Sequence, residues 1–256
     1  MKLGVSYNLF DGEELLEKSI LSIRSLVDHV NVVYQKKSNR NHDASDNIDG
    51  LLNKLKDNGL IDSMIEFFPD LNQSSHQNEI TKRNIGLEFS RKFQCTHHMS
   101  MDTDEFYKHD ELLRVKNFLE KNTAYDSSAC QMQTYYKTPC YCIDPPEDYY
   151  VSLIYKIKDS NFSFVDFPVL VDPTRRIQTD NCAIFARDVI EMHHMSYIRN
   201  DIRKKLENSS AYINFSDTID HIVEHFNNWT FGKPALFAGL PNVYRDVKQV
   251  ENVFNI

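Results

Sequence analysis

The chain has 256 residues, 41% hydrophobic and 26% charged, with a formal net charge of −8. That is the make-up of a globular protein long enough to bury a substantial core. The acidic balance, with only one short basic patch, "RNDIRKK" at 199–205, excludes non-specific nucleic-acid binding as the main activity. No window approaches the roughly 20 apolar residues that a membrane span needs. The opening "MKLGVSYNLF" reads as a strand, not a signal peptide. Five scattered cysteines without a C-x-x-C pair argue against a disulfide framework or a zinc knuckle. A reducing, cytoplasmic setting is the expectation.

In chain order, "KLGVSY" forms an apolar first strand. Asp11 is placed to cap a helix with Glu13 and Glu14 in its first turn, and Leu16, Ile20, Ile23 and Val27 share one face. "HVNVVYQ" is a second strand, followed by the polar loop "KKSNRNHDASDN". A second helix carries Ile48, Leu51, Leu52 and Leu55 and ends at Gly59. "MIEFF" is a third strand, a helix runs from about residue 77 to 93, and "CTHHMSM" is a fourth strand leading into Asp102. Beyond it, "SSACQMQTYYKTPCYCID", "YYVSLIYKIK" and "SFVDFPVLV" read as strands, with helices over about 196–212 and 217–226. The strand–helix alternation predicts one α/β domain with a mostly parallel, doubly wound sheet flanked by helices. Residues 1–125 form a nucleotide-binding half and 126–256 a half that completes the sheet and covers the site.

Ligands in such sheets bind beyond the carboxyl ends of the strands, where "NLFDGE", "KKSNRN" and "DTDEF" converge. Alternation along the fourth strand puts His98, Ser100 and Asp102 on one face. Asp102, Asp104 and Glu105 then turn into a loop, so that several carboxylates can aim at one point. Such oxygen-rich clusters suit magnesium or manganese, shared with substrate phosphates. His97 and His98, inside the strand, are expected to be core.

"GVSYNLFDGEELLEKSILSIRSLVDHVNVVYQ" and "TKRNIGLEFSRKF…HHMSMDTDEFY" resemble GT-A glycosyltransferases of the family 2 type over about the first 110 residues. The resemblance implies a Rossmann-like GT-A fold, a nucleotide-sugar donor, UDP-linked, and Mn2+ or Mg2+ held by Asp102 and Asp104. It places Tyr7, Asn8 and Glu14 on the base-and-ribose side and Arg83 and Asn84 on the donor-facing helix. Many members carry an acidic residue after the second strand; here Gln35, Ser38 and Asn39 stand instead, amides able to pair with a base edge. The family often completes its metal shell with a histidine near the C-terminal end of the domain. "EMHHMSYIRNDIRKK" fits, with His194 favoured slightly over His193 ahead of an expected helix bearing Arg199 and Arg203. Those arginines, or the helix start, would meet diphosphate oxygens.

Transfer to a glycan or other hydroxyl acceptor, by inversion on the same resemblance, needs a general base. Glu147 and Asp148 in "PPEDYY" come first, with Asp180 in "QTDN" and Asp172 behind them. The polar "VDPTRRIQTDN" is placed to line the donor or acceptor pocket. The rival readings lack support in the residues. A sugar nucleotidyltransferase needs a Gly-rich basic first loop, a phosphohydrolase needs tight H-x-D pairs, and a carbohydrate-binding module needs no D-x-D.

Overall fold

Seven consecutive buried residues, Leu3–Leu9, mark β1 as a central strand, because a strand covered on both faces is buried at every position instead of at alternate ones. A computed structural model describes residues 1–239 and 242–256. After β1 come α1 (Glu13–Ile23), β2 (His29–Tyr34), α2 (Ile48–Asp57), β3 (Ser63–Glu66), α3 (Ser75–Lys92) and β4 (His97–Asp102). There follow β5 (Glu105–Phe106), α4 (His109–Lys121), β6 (Ser127–Tyr136), β7 (Thr138–Asp144), β8 (Tyr150–Lys156), β9 (Cys182–Phe185) and β10 (Glu191–Tyr197). The chain closes with α5 (Ile202–Asn208), α6 (Ile219–Asn228), β11 (Ala235–Phe237) and β12 (Val243–Gln249).

The expected α/β fold is present. β3, β2, β1 and β4 lie side by side and parallel, and the sheet continues antiparallel through β8, β6, β7, β12 and β11. β6 is long enough to serve four neighbours. Its first half pairs with β8 and β9, its second with β7 and β10. β10 also runs antiparallel to β5, with His194 opposite Glu105. That pairing carries the second half of the chain to the end of β4. Among the described residues, no helix is long and apolar enough to cross a membrane.

Close packing of α3 on β1 sets the depth of the site. A Cβ built on Gly86 would lie 2.0 Å from Ser6 Oγ, so only glycine lets the helix sit this near the strand. Gly12, in the left-handed region at φ 79, begins α1. It replaces Asp11 as the cap, and Asp11 turns instead toward Arg199.

The second half departs furthest from expectation. The helix expected over 196–212 is β10 followed by the seven-residue α5, capped by Asp201. "HHMS" is therefore a strand in both its copies. "SFVDFPVLV" is irregular, with Phe164 and Leu170 exposed, and an isolated bridge joins Phe162, just before it, to Ile177. Lys137, at φ 63, breaks the expected long strand into β6 and β7. α4 is a helix beyond those expected, and Leu112, Val115 and Leu119 recur on its buried face.

Candidate functional site

β4 delivers the acidic loop, and the face it turns toward α3 is polar throughout. His98 Nδ1 meets Ser90 Oγ at 2.8 Å, Arg83 donates to Ser100 Oγ at 2.8 Å, and its Nη2 reaches Asp102 at 3.2 Å. Burial pushes the imidazole of His98 down to about 3, the behaviour of a neutral core histidine. Arg83 also donates to Thr174 Oγ1 at 3.2 Å, which ties α3 to the turn at Pro173–Arg175. On the other face of β4, Met99 and Met101 enter the main core.

A second buried arginine comes from "VDPTRR". Arg175 bonds Asp102 Oδ2 at 2.7 Å and also pairs with Glu105 and the Ser100 carbonyl. A third, Arg199, pairs with Asp104, with its Nε 3.8 Å from Asp11. Burial raises the carboxyl pKa of Asp102, but Arg175 and Arg83 outweigh it and hold the group below the usual range. For Asp104 the same desolvation is outweighed by Arg199 and His194. Glu105 lies deeper; there desolvation wins over Arg175 and the pKa rises. Met195 N–H donates to the Asp104 carbonyl at 2.7 Å, which fixes the loop against β10.

Arg83, Asp102, Asp104, His194 and Arg199 line a cavity of about 300 Å³ at the carboxyl ends of β1 and β4, with Arg175 and Glu105 packed behind Asp102. Asn8, 7% exposed, lines it with neither amide atom hydrogen-bonded. Lys205 lines it too, and donates only to Ser196 Oγ. Among the described residues it is the one cation of this cleft without a carboxylate partner, since Lys82 pairs with Glu79 at 2.9 Å. Two further cavities adjoin. One, about 710 Å³, is lined by Asn39, Arg40, His42 and Tyr212, with Arg40 3.5 Å above the Tyr212 ring. The other, about 660 Å³ and more apolar, shares His194, Ser196 and Lys205 with the central cavity. Glu147 and Asp148 line it. Glu147 Oε1 accepts from Thr134 Oγ1 at 3.0 Å, and its Oε2 is buried without a partner.

The structure thus gathers Asn8, Arg83, Asp102, Asp104, His194 and Arg199 at one cavity, with Asn39, Glu147 and Asp148 beside it. Other sequence candidates lie elsewhere. Tyr7 is fully buried and its hydroxyl meets Ser19 Oγ at 3.1 Å, because odd positions of β1 face away from α3. Glu14 is exposed and accepts from Asn200 N–H. Gln35 sits behind Asn39 and donates to its Oδ1 at 3.3 Å. Asn84 exchanges two hydrogen bonds with the Phe162 backbone. His193 points into a core cluster, bonded to Tyr135 and stacked edge-on against Phe254, with its pKa pushed down to about 3 by burial. Asp180, with its side chain 81% exposed, reaches Lys158 near the amino-terminal end of β4. Arg203 is not at the central cavity; it lines the cavity beside Arg40 and Tyr212, where it pairs with Asp220. Two residues of the site, Arg175 and Lys205, are not among the sequence candidates. The polarity of "VDPTRR" and the patch "RNDIRKK" are their only signals.

The carboxylates do not fit the divalent ion expected of them. Guanidinium groups occupy both oxygens of Asp102 and Oδ2 of Asp104, and His194 Nε2 is 3.6 Å from that same Oδ2. Among the described residues no group of three or more His, Cys, Asp or Glu side chains is arranged to hold a metal.

No protein-family model matches the chain, and no curated protein matches it. Solved structures overlay loosely. Staphylococcus aureus TarS 1–349 is 10% identical, with 84% of this chain and 71% of that chain covered at a TM-score of 0.49. The same TarS fragment in complex with UDP is 13% identical at a TM-score of 0.39, over 52% of this chain and 36% of that one. Mannose-1-phosphate geranyltransferase from Thermus thermophilus is 12% identical at a TM-score of 0.33, over 62% and 51%. In the overlay with the UDP complex, the match spans about a third of the other chain's length. None of the three carries a functional assignment to this chain.

Proposed function

We propose that the chain is a glycosyltransferase that moves a sugar from a nucleotide-linked donor, UDP-linked, to a glycan or other hydroxyl acceptor with inversion. One observation carries the reading most of the way. Asn8, at the carboxyl end of β1 and paired in register with Asp102, holds a buried amide with no partner among the described residues, in the cleft lined by Arg83, Arg199, Lys82 and Lys205. A buried amide left unpaired costs about 1–3 kcal/mol, which a polar ligand in this cleft would recover. The cavity beside Arg40 and Tyr212 takes the nucleoside, with the ring stacked and Asn39 at the base edge. The central cavity takes the diphosphate and the sugar.

The reaction joins the acceptor oxygen to the anomeric carbon while the bond from that carbon to the diphosphate oxygen breaks. The electron pair leaves with the nucleoside diphosphate, whose growing charge faces the cations of the cleft. The hydroxyl proton goes to Glu147, which lines the adjoining cavity and whose Oε2 has no hydrogen-bond partner among the described residues. No step passes through a metal ion.

The test is titration calorimetry with UDP together with a donor panel assayed for sugar-nucleotide hydrolysis. UDP is expected to bind. Glu147→Gln is expected to keep that affinity while turnover falls by about 10²–10⁴-fold. Failure of every nucleoside diphosphate to bind would sink the reading.

A further inference from the structure

Building on that reading of the cleft, we infer that Lys205 and Arg199 supply the positive charge against the diphosphate that a divalent ion supplies in a carboxylate site. Three independent placements converge on this. Three of the four D-x-D carboxylate oxygens, the donors a metal would need, already accept hydrogen bonds from Arg83, Arg175 and Arg199. Hard cations bind through such oxygens, and a lone pair given to a guanidinium is not available to a metal. Arg199 also lines the cavity, with its buried Nε making no hydrogen bond among the described residues and lying 3.8 Å from Asp11 Oδ2.

Lys205 completes the arrangement. Among the described residues its ammonium meets only the neutral Ser196 hydroxyl and the face of the Tyr197 ring, and it stands where the central cavity opens into the apolar one. A partly buried ammonium without a counter-ion is costly, and an anion at this spot offsets the cost. The junction is also where a departing diphosphate would lie between donor and acceptor. Both cations come from the β10–α5 segment, so β10, already tied to the acidic loop through Met195, positions them as one piece. Asp104 then serves as the buried anchor of Arg199, a positioning residue.

Calorimetric titration of the whole chain with UDP, once in EDTA and once with added manganese, reads this directly. The expected result is binding of equal strength, within about threefold, in both. Lys205→Met is expected to weaken UDP by about 10- to 100-fold, the range for a lost charge-assisted bond, and Lys205→Arg to restore most of it. Arg199→Met is paired with Asp104→Asn and Asp11→Asn so that neither carboxylate facing the guanidinium is left unmatched, and the combined variant is expected to lose affinity similarly. UDP affinity that rises tenfold or more with manganese overturns the inference but leaves the transferase reading intact. So does unchanged affinity in Lys205→Met. Absence of UDP binding in both buffers overturns the transferase reading and this inference with it.

Discussion

Lys205 shows how one side chain can be set between two demands. Burial first, and the neighbouring Arg199 second, push its ammonium down to about 8 from the usual 10.5. Below that pH it is charged and able to meet a phosphate; above it, the folded chain holds a neutral amine. UDP affinity should therefore be full at neutral pH and decline as the pH climbs through 8, with bound diphosphate moving the midpoint upward. Stability should change in the opposite sense. The unfolded chain binds this proton more tightly than the folded one, so this group favours folding increasingly from pH 8 toward 10.5. Calorimetry and urea melts over about pH 7 to 10 would reveal the two opposed trends, and Lys205→Met should flatten both. Parallel trends would show that another group governs the pH response. The histidines make a complementary point. His98 and His193 are neutral core residues, whereas His194, on the same strand as His193, faces the cavity.

At the scale of elements, the site depends on how closely α3 lies on β1. Ser74 caps the helix through the Gln77 N–H, and Gly86 opposes Ser6 with no room for a Cβ. That approach brings Arg83 within reach of both Ser100 and Asp102. Gly86→Ala is expected to cost about 1–3 kcal/mol, as overpacking does. It should also weaken UDP binding, because the helix must lift and carry Arg83 with it. Denaturant midpoints measured beside UDP affinity test the link; a stable variant with undiminished affinity would show that the packing and the cleft are independent. The antiparallel pairing of β5 with β10 plays the same role on the far side, setting His194 against the acidic loop.

For the molecule as a whole, Arg175 joins what the sequence separates. It lies beyond β8, yet its guanidinium bonds the Ser100 carbonyl, Asp102 and Glu105 at the end of β4. The Tyr155 hydroxyl in turn donates to its carbonyl. Removing one partner of such a buried group leaves unmatched carboxylates, at about 3–5 kcal/mol. Arg175→Met is thus expected to lower the unfolding free energy by that amount with an unchanged denaturant slope. A loss below about 1 kcal/mol would mean that water reaches the pair and the two halves are held together elsewhere.

The first half of the fold was legible because each element announces itself locally. β1 and β2 are short, mainly apolar runs rich in Val, Leu and Tyr, and α1 and α2 repeat their apolar residues at helical spacing. Parallel strands joined by helices then oblige the loops after β1, β2 and β4 to meet at one edge, so Asn8, Asn39 and the D-x-D could be placed together from spacing alone. The second half was not legible. β6 has four partners, and the pairing of β10 with it depends on strands far apart in sequence, so "HHMSYI" carried no local sign that it continues as strand instead of opening a helix. Charge was the deeper limit. The sequence displays Asp102, Asp104 and Glu105 as a cluster free to collect a metal, because it shows carboxylates without their partners. Which cations stand opposite them is a long-range matter: Arg83, Arg175 and Arg199 arrive from three separate segments, and only their meeting turns a metal-like motif into a set of buried ion pairs beside an unpaired lysine.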